Sequence, residues 1–312
     1  MRWNIIAGIV SFNPDINKLK ENINTSIQQV NEIIVVDNGS KNVFAVEELC
    51  ENYDRITLVK IGKNKGIAFA LNTIFKFAYA RGAQWVLTLD QDSCIYSDFI
   101  EQCKTQLNQD KVASICTLER DRNCDFDVEY DKTVDVEEVN FAITSGNLVR
   151  LSAWKEVRGF NESLFIDSVD FEFSYRLREA GYSIIRINKV LISHELGDSK
   201  KHGFLGMKPV SYNHSPFRKY YIFRNQVYEI RFVNLSKERH LRRTIMKNLI
   251  KILLYEDQKL MKLKAGIKGI FDGMRMTEYD YPPIDIAPFE RFAGSSEKII
   301  SLSDSCVGGG IK

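Results

Sequence analysis

No C-x-x-C pair, no apolar stretch long enough to cross a bilayer and no large excess of either charge is found in the 312 residues of this chain. Each absence excludes something. The six cysteines, Cys50, Cys94, Cys103, Cys116, Cys124 and Cys306, follow no rhythm. That excludes a disulfide scaffold and predicts free, mostly buried thiols in a reducing cytosol. The longest early apolar run, Ile5 to Val10, is too short for a signal-peptide core or a membrane span, and Pro14 follows soon after. The expected setting is therefore cytoplasmic, with any membrane contact peripheral. Lys and Arg number 43 against 41 Asp and Glu, a net charge of +2, which leaves no global footprint for nucleic acid. With 44% hydrophobic and 27% charged residues, the composition is neither collagen-like nor disordered. The length allows one large domain, or a domain with an extension.

What is present is an alternation. Residues 4–12 form a continuous apolar run, the sign of a strand covered on both faces. Ile16, Leu19, Ile23 and Ile27 predict a helix over 15–29 behind Pro14 and Asp15. A strand over 32–36 ends in the turn formers Asp37-Asn38-Gly39-Ser40. A helix over 46–52, a strand over 56–61, the loop Gly62-Lys63-Asn64-Lys65-Gly66 and a helix over 67–80 follow. A strand over 85–89 then runs into Asp90-Gln91-Asp92-Ser93. This order predicts an α/β fold, an open and mostly parallel sheet flanked by helices. Ligands of such sheets bind outside the carboxyl ends of the strands. The clusters at 37–40, 62–66 and 90–93 share that edge, so they can converge on one ligand; solvated turns would put polar residues there too.

After Glu119 the rhythm loosens. A charged surface excursion is expected over 119–134, then a strand over 139–143 leading to Thr144-Ser145-Gly146-Asn147. A helix over 152–157 ends at Gly159, and one over 168–180 closes on Gly181 as its C′ residue. Residues 182–193 read as strand. Beyond Pro216 long helices are predicted over 217–234, 238–255 and 257–271, and between Lys237 and Arg275 basic residues number 11 against 4 acidic ones. The expected division is a main domain over 1–215, a helical region over 216–300 and a disordered tail over 301–312.

Three groups of residues carry chemistry. Asp90 and Asp92, two apart on an irregular segment, can face a hard divalent cation, Mg²⁺ or Mn²⁺, that bridges a diphosphate and neutralises charge as it leaves. Asp37, at a strand end, can accept the imide N–H of uracil or thymine, or close an Asx-turn. In Phe165-Ile166-Asp167-Ser168-Val169-Asp170-Phe171-Glu172, helical spacing turns Asp170 and Glu172 about 200° apart, so they do different jobs. Asp170 falls in a first helical turn, where the dipole favours its ionised form as a base. Glu172 and Arg176 have the spacing of an i,i+4 ion pair.

Val10-Ser11-Phe12-Asn13, Val36-Asp37-Asn38-Gly39-Ser40, Asn64-x-Gly66 with Asn72, Leu89-Asp90-Gln91-Asp92-Ser93 and Asp170-x-Glu172-x3-Arg176 occur in that order. Together they resemble glycosyltransferase family 2, the inverting enzymes of GT-A fold, and the D-Q-D-S and F-I-D-x-V-D-x-E forms resemble its bacterial rhamnosyltransferase branch. The resemblance runs from about residue 5 to 225. It implies a Rossmann-like GT-A domain with a C-terminal helical extension and a dTDP- or UDP-sugar donor. The acceptor it implies is a glycan or a lipid-linked saccharide. It makes Asp37 the pyrimidine-binding aspartate, Asp90 the ribose- and diphosphate-facing residue and Asp92 the metal ligand. Ser11, Asn13, Asn38, Asn64 and Gly66 fall on donor-site positions. His194 resembles a residue that completes metal or diphosphate binding, and Arg224 one that pairs with phosphate oxygens. Asp170 aligns with the catalytic base. Val169 departs from the acidic residue usual before it and Glu172 replaces a second aspartate, so Asp167 is a rival base.

Three other classes lack their marks. A nucleotidyltransferase would carry a Gly-rich basic loop after the first strand, and Ser11-Phe12-Asn13-Pro14 is not one. No G-x-G-x-x-G follows it for a dehydrogenase. A non-enzymatic binding module would leave the strand-end carboxylates without purpose. The basic C-terminal helices have two readings: packing against the catalytic domain or a second copy, as in a homodimer, or an amphipathic surface for a membrane.

Overall fold

The structure is a computed structural model that describes residues 3–121, 133–194, 200–201, 210–211, 213–233 and 238–302. In the first half, strands β1 (Ile5–Ser11), β2 (Glu32–Asp37), β3 (Ile56–Lys60) and β4 (Trp85–Asp90) alternate with helices α1 (Ile16–Ser26), α2 (Val43–Glu51) and α3 (Ile67–Ala80). Then come β5 (Cys94–Ile95), α4 (Phe99–Leu107), β6 (Val112–Asp121), β7 (Val136–Glu138), β8 (Asn147–Arg150), α5 (Leu151–Glu156), α6 (Val169–Glu179) and β9 (Ser183–His194). A small ribbon, β10 (Lys200–Lys201) with β11 (Val210–Ser211), precedes α7 (Pro216–Phe232), α8 (Glu238–Tyr255) and α9 (Lys259–Arg275). Helix α10 (Ala287–Glu290) and strand β12 (Ile299–Ser301) close the described chain.

The sheet runs β12-β3-β2-β1-β4-β8-β6-β9-β5, with β7 on β9. From β12 to β4 every pairing is parallel. Beyond β4 the sheet is mixed: β8 pairs antiparallel with both β4 and β6, while β6 and β9 run parallel. In β1, Ile5, Ala7 and Ile9 face one core and Ile6 the other. Helices bury both faces of the strand, so it reads as an unbroken apolar run.

Several boundaries differ from the sequence expectation. Strand β7 lies at 136–138, and residues 139–143 are irregular although read as strand. There Val139 donates only one backbone bond, to Ile184, before the chain turns into 144–146. Helix α4 and strand β6 were not anticipated. Residues 216–300 are not purely helical. Strand β12 adds parallel to β3, so residue 301, read as tail, belongs to the sheet. Residues 303–312 of that tail and most of the 119–134 excursion lie outside the described residues. All four cysteines described, Cys50, Cys94, Cys103 and Cys116, are free and buried, and burial pushes the Cys50 and Cys103 thiols up to about 12.

Asn72 on α3 fixes the later chain to the first half. Its amide donates to Phe160 O (2.9 Å) and to Glu162 (2.8 Å), and its oxygen accepts from Phe160 N (2.8 Å) and Trp154 Nε1 (3.2 Å). Asn72→Ala is expected to cost about 2–4 kcal/mol, because two buried N–H groups lose their acceptor. Urea unfolding measures it, and a loss below about 1 kcal/mol would mean that water replaces the side chain.

Candidate active site

Because β1 to β4 are parallel, their carboxyl ends finish on one edge. Ser11 pairs with Asp37, and Val10 with Asp90. The loops beyond are stitched together. Phe12 N donates to Gln91 Oε1 (2.8 Å), Asn13 N to Ser40 Oγ (2.8 Å), and Lys41 N to Asn13 Oδ1 (2.8 Å). Asn38 donates to Asn64 Oδ1 and Gly66 O (both 3.2 Å) and accepts from Lys65 N (2.9 Å). The three clusters read from the sequence therefore form one continuous rim. Asn13, Asn38 and Asn64 spend part of their hydrogen-bonding capacity holding it. Ser145 supports the D-x-D segment from beneath, accepting from Asp90 N (3.2 Å) and bonding Ser93 Oγ (2.6 Å).

The two oxygens of Asp37 have different surroundings. Oδ1 accepts from Gly39 N (3.1 Å) and Ser40 N (3.0 Å), which is the Asx-turn. Oδ2 is buried with no partner, and so is the hydroxyl of neighbouring Ser11. Asp37 is 1% exposed. A buried carboxylate oxygen without a donor is costly, and an N–H brought by a ligand relieves it.

The segment before α6 is bent sharply. Phe165 (φ 64°, ψ −63°) forms a γ-turn in which Ile166 N donates to Leu164 O (2.8 Å), and Asp167 and Ser168 also have positive φ, 63° and 65°. Such backbone costs about 1–3 kcal/mol per residue and persists only where its surroundings hold it. Helix α7 supplies that hold. Fully buried Asn225 donates to the carbonyls of Leu164 (2.9 Å), Ile166 (2.8 Å) and Asp167 (2.8 Å). Arg224 donates to Ser163 O (2.6 Å) and Leu164 O (2.9 Å) and stacks on Tyr221. The guanidinium expected to meet phosphate is thus committed to backbone carbonyls, as a brace for this segment. The segment also meets the start of α3 beside the rim: Phe165 O accepts from Ile67 N (2.6 Å). A Cβ on Gly66 (φ 90°) would lie 2.6 Å from that same oxygen, so only glycine fits there.

Asp167 is paired with Arg218, which approaches both of its oxygens at 3.0–3.3 Å. Glu172 turns the other way, as its spacing predicts. It is 2% exposed, paired with Arg176 and accepting from Tyr281 Oη. Asp170 is half-buried, and burial pushes its carboxyl up to about 6. The charges of Asp167 and Asp90 push the same way, while the N–H groups of Phe171 and of Asp170 itself pull it down. The helix start was expected to favour the ionised form; burial outweighs it. A carboxylate near 6 is closer to neutrality, which suits a general base.

Glu229, on α7, carries no local signal in the sequence. It is 3% exposed with one oxygen unpartnered. Burial raises it from 4.5 to about 8, aided by Asp170 and Glu172 and opposed by a hydrogen bond from Ser168. The unfolded chain ionises first as pH climbs above 4.5, so stability is lost progressively until about 8. Glu229→Gln removes that loss. Its stability advantage over wild type is expected to grow between about pH 5 and about pH 8.5 in urea titrations. Parallel profiles would contradict the assignment.

No group of three or more His, Cys, Asp or Glu positioned to hold a metal occurs among the described residues. Two carboxylates, Asp90 and Asp92, still fit a hard cation whose remaining ligands come from diphosphate and water. Asp90 lies near enough to Asp170 for its charge to act on that carboxyl. His194 ends β9, its backbone in register with Asp121; its side chain lies outside the described residues. A cavity of about 800 Å³ lined by Trp3, Asn31, Arg55 and Leu107 opens on the opposite edge, far from these carboxylates.

A mostly parallel sheet with its acidic rim on one edge is the GT-A architecture, and solved structures agree. S. aureus TarS 1-349 in complex with UDP-GlcNAc superposes with a TM-score of 0.54 at 15% identity, over 87% of this chain and 81% of that one. GalNAc-T7 with UDP, GalNAc and Mn²⁺ gives 0.55 at 15% identity, over 90% and 58%. Residues 7–156, just under half of the chain, match the family described as Glycosyl transferase family 2, and the match supports glycosyltransferase activity with a nucleotide-sugar donor. A dTDP-rhamnosyl transferase, RfbF of Shigella flexneri, is 27% identical over 88% of this chain and 97% of its own.

Proposed function

We propose that the enzyme transfers rhamnose from dTDP-rhamnose, with inversion, to a hydroxyl of a glycan or lipid-linked saccharide in cell-surface polysaccharide synthesis. One observation supports this reaction: Asp170, raised to about 6, lies within reach of the charge of Asp90 at the rim. Asp170 takes the proton of the acceptor hydroxyl as its oxygen attacks the anomeric carbon from the face opposite the nucleotide, and a single displacement inverts that centre. Asp167, tied to Arg218, and the Asn225 clamp position this base. Asp90 and Asp92, with His194 as a further ligand, would hold a divalent cation that neutralises the departing diphosphate.

Asp37 Oδ2 supports a pyrimidine donor, since it lacks the donor that a thymine or uracil imide N–H brings. That contact serves both bases, so a UDP-sugar is the second reading; the UDP-GlcNAc complex of TarS favours it. The rhamnosyl name of the Shigella relative favours the first. Thermal shift with a panel of nucleotide sugars separates them, because the true donor stabilises the fold by mass action. The largest shift is expected with dTDP-rhamnose, and a larger one with a UDP-sugar would replace that donor. Asp37→Asn turns the acceptor oxygen into a possible N–H donor and is expected to weaken nucleotide binding about 10- to 100-fold by calorimetry. Unchanged affinity would remove Asp37 from the base pocket.

A further inference from the structure

Helix α9 has two contrasting faces. Gly266, Gly269 and Gly273 lie against α7. A Cβ on Gly269 would fall 2.3 Å from Tyr220 O, and one on Gly273 2.5 Å from Arg224 O. This close backbone approach fixes the rotation of α9 on α7, so the opposite face is denied to the core. On that face Leu260, Ile267, Phe271 and Met274 recur at steps of seven, four and three, and they are 76%, 49%, 53% and 48% exposed. Exposed Lys264, Lys268 and Arg275 run beside them. Helix α8 repeats the pattern with Met246, Ile250 and Leu253 exposed at steps of four and three, next to exposed Arg242, Arg243 and Lys247. The turn between the helices is pinned by buried Glu256, held by Lys219 (2.6 Å) and Lys262 (3.0 Å).

We propose that these two basic-edged apolar stripes seat the enzyme on an anionic lipid bilayer. Charge complementarity selects this occupant. Apolar side chains of an amphipathic helix enter the headgroup boundary while flanking lysines and arginines meet lipid phosphates. A second copy is a poorer fit, since a two-fold contact sets the same patch against itself and like charges against one another. Among the described residues no helix is long and apolar enough to cross a membrane, so the contact is peripheral.

Co-sedimentation of the full chain with vesicles tests this without any transfer step, so its failure is separate from failure of the proposed reaction. Vesicles of phosphatidylcholine with about 30% phosphatidylglycerol are expected to bind it at least about 10-fold more tightly than phosphatidylcholine alone, and salt should weaken the contact. Ile267→Ser with Phe271→Ser, and separately Lys264→Glu with Arg275→Glu, should each lower binding about 10-fold or more while circular dichroism and donor hydrolysis stay unchanged. These side chains already face solvent, so the folded chain remains available for the assay. Equal binding to neutral vesicles, or binding indifferent to both pairs, overturns the proposal. So does a dimer in sedimentation velocity that the serine pair dissolves while vesicles go unbound, which would assign the face to a second copy.

Discussion

Asp170→Asn is expected to lower kcat about 10³-fold and to leave nucleotide affinity within about threefold, because the amide keeps the shape and loses only the proton acceptor. Asp167→Asn is the necessary companion. It breaks the pair with Arg218, so it should disturb positioning and cost about 10-fold. The two are told apart by pH. The wild-type kcat/KM should rise as pH climbs through about 6, where Asp170 gives up its proton. Asp167→Asn should keep that limb, while the residual activity of Asp170→Asn should lack it. A reversed ranking would move the base to Asp167.

Asp92→Ala is expected to weaken Mn²⁺-dependent binding of a nucleoside diphosphate about 100-fold. The charges of Asp90 and Asp167 both reach the Asp170 carboxyl, so a diphosphate arriving there meets repulsion until a cation offsets it. Chelation should therefore bring wild type down to the level of the variant, and Mn²⁺ should restore only wild type. Calorimetry with and without EDTA reads both. If chelation leaves wild-type affinity unchanged, the carboxylates serve something other than a cation.

Much of this site was legible because its signals are local. Asp37, Asn64 and Asp90 stand where apolar runs stop, and parallel strands place such stops on one edge. Glu172 and Arg176 announce themselves by spacing. Helix α3 begins and ends where its apolar pattern does, at 67 and 80. What escaped depends on distance. Asn225 sits inside a helix and spends its amide on three carbonyls about 60 residues away, which no window of sequence contains. The left-handed residues at 165, 167 and 168 carry no glycine to mark the bend. The direction of the shift at Asp170 was misread because the sequence displays the helix start but not the crowding around it. Arg224 was assigned by chemistry to phosphate, whereas on the folded chain its guanidinium donates to the backbone carbonyls of Ser163 and Leu164.

Sugar transfer by this route requires an acidic rim and a proton acceptor from a remote helix to meet the same donor. A crystal structure with Mn²⁺ and an intact nucleotide sugar tests that most directly. The cation is expected on Asp92 and Asp90, the base of the nucleotide against Asp37, and the anomeric carbon with an acceptor oxygen or water between it and Asp170, each gap about 3–3.5 Å. A sugar bound with its reacting carbon turned away from Asp170, or a cation held without either rim aspartate, would contradict it.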